Sequence, residues 1–238
     1  MRSWLAIVLM VVLGVLMIIA VIQLPQPGSP DAPAQTHVSA YYVEGGKELG
    51  GAENLVTAVL LNFRALDTFG EVVVIFSALV AVLAVAAAVA GTGPAGITRT
   101  AAETESVEVS PLVAFMVRLL APFIATFAVF VMLKGHVLPG GGFQGGAVLG
   151  AMLILLALFA HRPKPSRFGH PAGLFWLRAT GVLAFVLVGL LGLAMTGWMF
   201  AMPHDPLARE AMMIALELGI GIGGAAVLIG LFRALADG

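Results

Sequence analysis

Three groups of ionisable side chains stand inside, or at the ends of, long apolar runs of this sequence. The first is Arg64-Ala65-Leu66-Asp67-Thr68-Phe69-Gly70-Glu71. Asp67 and Glu71 are four residues apart, so a continuous helix puts them on one face, with Arg64 in reach of Asp67. Glu71 enters a stretch that is apolar through Ala90. A carboxylate there is costly in hydrocarbon and faces protein or water. Such a group can relay a proton or attract a cation. The same residues also suit simple anchoring, with Asp67 and Thr68 capping a helix and Glu71 steadying its first turn.

The second is Glu217, seven residues past Glu210 and about two turns into the last apolar run. Gly221 and Gly224 follow at i+4 and i+7, which places the carboxylate on a small-residue face. Small faces pack against other helices, so Glu217 is expected inside protein. It reads equally as a protonatable site on an ion path and as a hydrogen-bonded structural acid.

The third is Lys134-Gly135-His136-Val137-Leu138-Pro139-Gly140-Gly141-Gly142-Phe143-Gln144-Gly145-Gly146. Three glycines after a proline do not sustain an ordinary helix. They suit a packing turn, or a broken helix that shows backbone to a cavity. Lys134 and His136 add titratable groups, although Lys134 also suits snorkelling to the interface. Gly142, Gly146 and Gly150 then recur every four residues, a close-packing face. The glycine spacing is wrong for a phosphate loop, and no Lys-Ser/Thr follows.

The elements that must hold these groups are membrane helices. Of 238 residues, 60% are hydrophobic and 11% charged, against about a quarter charged in soluble domains. A bilayer core takes about 20 apolar residues per helix. Six runs qualify: Trp4–Ile22, Phe69–Ala90, Leu112–Leu133, Gly142–Ala160, Leu174–Phe200 and Arg209–Leu231. The first could serve as a signal peptide, but its length favours a retained helix. Gln23–Glu48 reads as an extended loop. Gly51–Phe63 reads as a short helix at the interface or packed on a neighbour. Gly91–Ser110 reads as a polar linker, and His161–His170 as a short basic loop.

Lys and Arg near the helix ends set orientation. An arrangement with both termini inside collects Arg2, Arg99, Arg118, Arg162, Lys164, Arg167, Arg178 and Arg233 on the inner side. Lys47, Arg64, Lys134 and Arg209 stay outside. Trp4, Trp176 and Trp198 lie near helix ends and fit an aromatic belt. His161, His170 and His204 read as interfacial.

The net charge of −1 argues against nucleic acid as a partner. With no cysteine, disulfides, thiolate catalysis and cysteine metal sites are excluded. No histidine pair has metal-ligand spacing. No nucleophile triad or cofactor fingerprint supports an autonomous enzyme, so neither a metal nor a cofactor is expected.

Two stretches resemble known families. From about Leu112 onward, the chain resembles the B subunit of the Mrp-type multisubunit cation/proton antiporters. The match rests on Gly135-His136, Pro139-Gly140-Gly141-Gly142-Phe143 and Gly145-Gly146. Val137-Leu138 stand where that family usually carries polar residues. Residues from about Gly51 to Ala90 resemble the E subunit of membrane-bound hydrogenases, a module also found near the end of the large A subunit of the antiporters. Here Asn54, Val56-Thr57-Ala58, Arg64-Ala65 and Asp67-Thr68-Phe69-Gly70-Glu71 carry the match.

The resemblance implies a subunit, without catalysis of its own, of a complex exchanging Na+ or another monovalent cation for H+ across a prokaryotic cell membrane. Its partners would be other antiporter subunits, including large complex I-like ones, and the lipid bilayer. It would complete the assembly and line an ion path. The alternatives are a membrane-arm subunit of an energy-converting hydrogenase or formate-hydrogenlyase-like complex, and a purely structural scaffold.

The expected architecture is an all-α membrane protein of about six transmembrane helices, N-in and C-in, with one short interfacial helix. Residues 1–91 form the E-like module, 92–111 the linker and 112–238 the B-like domain. Asp67, Glu71, Glu217, Lys134 and His136 are the ion-path candidates. Pro139, Gly140, Gly141, Gly142, Phe143, Gly146, Gly221 and Gly224 are expected to shape the turn and the packing face.

Overall fold

The computed structural model describes residues 2–92, 110–159 and 171–236. Most of the Gly91–Ser110 linker and the whole His161–His170 loop lie outside the described residues. The described residues are almost entirely helical, and they include six helices long and apolar enough to cross a membrane. Contacts divide the chain into two units, residues 1–44 and 45–238.

The first unit holds α1 (Arg2–Ile22), then the single turn α2 (Pro33–Thr36) and most of α3 (Val38–Gly45). The Gln23–Glu48 segment is thus partly helical rather than an extended loop. Pro33 occupies the first turn of α2, where its missing N–H costs nothing. The following Val38–Glu44 run holds neither Gly nor Pro to interrupt α3.

The second unit begins with a short helical segment that changes pitch. Asn54 caps α4 (Leu55–Ala58) by accepting the Val56 N–H at 3.1 Å. The chain then widens into a π turn over Val59–Phe63. The expected helix over Gly51–Phe63 is therefore shorter, because Gly51 sits at φ +73° and Asn54 fixes the start. The π turn frees the Leu60 carbonyl, and the fully buried Thr68 hydroxyl donates to it at 2.7 Å. α5 (Ala65–Thr92) starts four residues before the predicted Phe69, so Glu71 lies in its second turn.

α6 (Pro111–Leu133), α7 (Gly142–Phe159), α8 (Pro171–Thr196) and α9 (Pro206–Ala236) complete the unit. The predicted fifth span ran to Phe200, but α8 stops at Thr196. Gly197 takes φ +81°, the left-handed conformation that ends helices. The chain then folds back: a Cβ on Gly192 would lie 2.6 Å from the Ala201 carbonyl oxygen. α9 starts earlier than predicted. Asp205 caps it, accepting the Ala208 N–H at 2.8 Å, and Pro206 fills its first position.

α9 is the axis of this unit, buried by α7 and α8 and touched by α5 and α6. Glycines let it be approached closely. Cβ atoms on Gly142, Gly146 and Gly150 would lie 2.5 Å from the Glu217 carbonyl oxygen, 2.7 Å from the Gly221 carbonyl oxygen and 3.3 Å from Ala225 Cα. The seam advances four residues on each helix at every step, so α7 and α9 run parallel with small residues at the crossing. On the other flank, Gly219 meets Ala184, and Gly223 meets Gly181 and Thr180. Phe185, Met213, Leu216 and Ile220 fill the core between α5, α8 and α9.

Candidate functional site

The Lys134–Gly141 turn joins α6 to α7 and lies directly over Glu217. Gly140 and Gly141 take φ +152° and +139°, a region closed to side-chain-bearing residues. The backbone can therefore press against the acid. A Cβ on Gly135 would stand 2.3 Å from Glu217 Oε1, and one on Gly141 would stand 3.8 Å from it. The run of glycines makes room for one carboxylate.

The turn is held from the other sequence module. The Asn54 side-chain amide donates to Gly135 O at 2.7 Å and to Leu138 O at 3.0 Å. The Thr57 hydroxyl donates to Gly135 O at 2.8 Å. The Asn54 backbone N–H donates to His136 O at 3.0 Å. Four donors from one short segment thus fix three carbonyls of the turn. They satisfy backbone groups that a helix would otherwise have paired internally.

This arrangement orients His136. Its ring is buried, with Nε2 3.3 Å from Glu210 Oε1 and Nδ1 3.8 Å from Glu217 Oε2. Glu210 and Glu217 share a face of α9 two turns apart. Glu210 is exposed, whereas Glu217 is 1% exposed. The three side chains form a row from the protein surface to its interior, with an imidazole between two carboxylates. A group that is both donor and acceptor, placed between two acids, can hand a proton from one to the other.

Glu217 has no hydrogen-bond partner for either carboxylate oxygen among the described residues. An acid this deep in a spanning helix is costly unless paired or hydrated. A small cavity adjoins it, lined among others by Thr57, Thr68, Gly141, Phe143, Gln144 and Ile220. Its volume is about 20 Å³, room for about one water. Among the described residues, no three acids or histidines group to hold a metal ion.

The expected site residues divide. Glu217, His136, Gly140, Gly141, Gly142 and Phe143 come together, and the exposed Pro139 sits in the turn above. Gly146 and Gly221 meet on the α7–α9 seam. Gly224 does not join them: nothing lies within 4 Å of where its Cβ would stand. Seven residues return almost to the same azimuth on a helix. Gly224 thus shares the azimuth of Glu217 two turns farther along α9, beyond the turn that covers the acid, while Gly221 faces α6 and α7.

Lys134 is exposed at the end of α6. Asp67 and Glu71 are also exposed, on α5. Asp67 pairs with Arg64, and Glu71 has no hydrogen bond or ion pair among the described residues. Neither acid joins the Glu217 row.

Sequence reading passed over Glu210 as a participant, and it met Asn54 and Thr57 only as part of a motif. Their shared role depends on a contact across some 80 residues of chain. It also passed over Arg209, whose guanidinium donates to Pro203 O, Glu48 O and His204 O at 3.0–3.2 Å. That side chain ties the start of α9 to the segment before α4.

Six helices long and apolar enough to span, five of them in the unit that buries Glu217, define a multi-pass membrane protein with an ionisable centre in its helix bundle. Residues 112–232 match the family described as a domain related to the MnhB subunit of Na+/H+ antiporter, and the chain belongs to that family. Residues 2–97 match the family described as the E subunit of MBH.

An uncharacterized protein of Methanocaldococcus jannaschii is 31% identical over 61% of this chain and 58% of its own length. The chain spans well under two thirds of the curated relatives it matches. Among solved structures, a chain of the membrane-bound sulfane sulfur reductase, an archaeal respiratory membrane complex, matches with a TM-score of 0.67 and 28% identity. That match covers 97% of both chains. A chain of the Mrp complex from Dietzia sp. matches with a TM-score of 0.65 and 25% identity, over 96% of this chain and 26% of that one.

Proposed function

We propose that this chain is a non-catalytic membrane subunit of a multisubunit monovalent cation/proton antiporter, and that Glu217 is its proton-carrying group. The observation that carries the reading is a buried carboxylate on the axis helix that accepts no hydrogen bond among the described residues and stands 3.8 Å from His136 Nδ1. A scaffold has no use for such an acid, because an apolar residue of like volume packs at less cost. The family of residues 112–232 and the likeness to a chain of an Mrp complex support the same reading.

In this proposal residues 1–91 and 112–238 are two functional modules, and both termini face the cytoplasm of a prokaryotic cell. Asp67 and Glu71 attract cations on a face covered by a neighbouring protein of the complex, and Lys134 marks the outer end of α6. The transported ions are Na+ and H+, and the main proton channels belong to the large partner subunits.

Everted vesicles from antiporter-deficient cells carrying the complete operon test the proposal. Glu217→Gln is expected to abolish sodium-driven proton movement while the complex still assembles. If Glu217→Gln and Glu71→Gln both leave exchange and assembly intact, the ion-path assignment is wrong.

A second reading draws on one observation. The sulfane sulfur reductase chain matches this one end to end, whereas the Mrp chain is about four times the matched length. The fused layout therefore also suits the membrane arm of a redox-driven complex, such as an energy-converting hydrogenase. Copurification with a redox subunit decides for that reading, and copurification with antiporter subunits alone decides for the first.

A further inference from the structure

The cavity beside Glu217 has a neighbour. A second one, lined by Val72, Ile75, Phe76, Phe143, Arg178, Gly181, Ile220, Gly223, Gly224 and Val227, continues along the same side of α9. The first is walled by the α4–π-turn segment, Thr68 of α5 and the start of α7, the second by α5, α8 and Phe143 of α7, and α9 floors both. Phe143 and Ile220 line both cavities, and so form the partition between them. From Glu217 to Val227 the floor rises about 15 Å at 1.5 Å per residue.

Each cavity holds a buried polar atom without a hydrogen-bond partner among the described residues. In the first these are the Glu217 oxygens, and in the second it is Arg178 Nε. Buried polar groups of this kind recruit water. The cavities measure about 20 and 10 Å³, on the scale of a single water. Between these two wetted ends stand a phenyl ring and a sec-butyl group. A short apolar constriction in a narrow path conducts or blocks according to whether it is wetted. Phe143 is only partly buried, and Gly224 leaves space within 4 Å on the floor of the second cavity, so the ring has room to turn.

We propose that these two cavities form a proton path gated by Phe143. The ring separates Glu217 from the water around Arg178 in the closed state, and its rotation joins the two. A proton arrives on Glu217 as the neutral acid and leaves it as the carboxylate, handed to water on the Arg178 side. The path carries protons rather than metal cations. Its cavities are small, the side chains of its waist offer no oxygen ligands, and a guanidinium stands at its far end. A sodium ion would have to shed its hydration shell with nothing to replace it.

The inference rests on the proton role given to Glu217 above, and it is tested separately from cation exchange. The whole complex is reconstituted in vesicles with an imposed pH gradient and no sodium or potassium gradient, and passive proton leak is read with a pH dye. Phe143→Ala is expected to raise the leak severalfold over wild type. Adding Glu217→Gln is expected to return it to the wild-type level. If Phe143→Ala prevents assembly, Ile220→Ala opens the same waist from the other side and is read by the same criterion.

An assembled Phe143→Ala or Ile220→Ala complex without added leak overturns the gate, as does a leak that persists with Glu217→Gln. A Glu217-dependent leak in a complex that shows no cation/proton exchange upholds the gate and overturns the antiporter reading. Loss of exchange in Glu217→Gln without any leak in Phe143→Ala does the reverse.

Discussion

Gly135 and Glu217 face each other so closely that a methyl group on the first would stand 2.3 Å from Oε1 of the second. Gly135 follows the end of α6 and Glu217 lies well inside α9, yet neither position can be chosen without the other. On the opposite side, the same methyl would meet Gly141 Cα at 2.5 Å. The clash is with backbone as well as with a side chain, so the turn cannot relieve it by moving one rotamer.

Gly135→Ala is therefore expected to destabilise the protein by about 1–3 kcal/mol, the usual cost of overpacking. Thermal unfolding of the detergent-purified complex measures it. Combining it with Glu217→Ala should recover part of the loss, because one of the two clashing atoms is then gone. Full additivity of the two changes would show that the contact does not exist.

The clamp on the turn gives the second prediction. Asn54→Ala removes two side-chain hydrogen bonds and a helix cap, and Thr57→Val removes one hydrogen bond of similar shape. Each bond contributes about 1 kcal/mol, with more lost where a buried acceptor is left unpaired. Asn54→Ala should lower stability by roughly 2–3 kcal/mol and Thr57→Val by about 1. Both donate to Gly135 O, so the double variant should lose more than the sum, the last donor to that carbonyl being gone. Unfolding of the four proteins in one buffer closes the cycle.

How much of this was legible beforehand follows from which distances along the chain carry each feature. The six spans were legible because a bilayer demands a long local apolar run. Their ends were less so: α8 stops at Thr196 because Gly197 turns left-handed, although the apolar run continues. The burial of Glu217 was legible from Gly221 one turn on. The facing of His136 and Glu217 was not, since it depends on α7 and α9 meeting in one register across more than 70 residues. Glu71 was read as facing protein or water, and within this chain it faces outward. No property of the α5 sequence fixes which side the rest of the bundle covers.

The Arg64–Asp67 pair yields a prediction of the opposite kind, a small effect. Both side chains are about half exposed, and exposed ion pairs contribute ~0–1 kcal/mol. Asp67→Asn should change the thermal stability of the purified complex by no more than that. A large loss would mean that Asp67 has a buried partner on a neighbouring protein, which pull-down of the assembled complex would then reveal.

The α7–α9 seam separates two glycines that look alike in sequence. Gly146→Ala would put a methyl 2.7 Å from the Gly221 carbonyl oxygen and 2.9 Å from its Cα. Both contacts are backbone on the axis helix, so the helices must separate. Separation also loosens Gly142 against Glu217 and Gly150 against Leu228, one turn away on either side. Gly224→Ala meets nothing within 4 Å, and alanine is the better helix former by about 1 kcal/mol. The first substitution should therefore lower the yield of assembled complex and its unfolding temperature, at a cost of about 1–3 kcal/mol. The second should leave both unchanged or raised. Equal losses at the two positions would mean that glycine is required for helix flexibility and not for close approach, and the seam would lose its role. The comparison needs only size-exclusion profiles and melting curves of the two variants beside wild type. The expected asymmetry cannot come from helix propensity, which favours alanine at both sites alike.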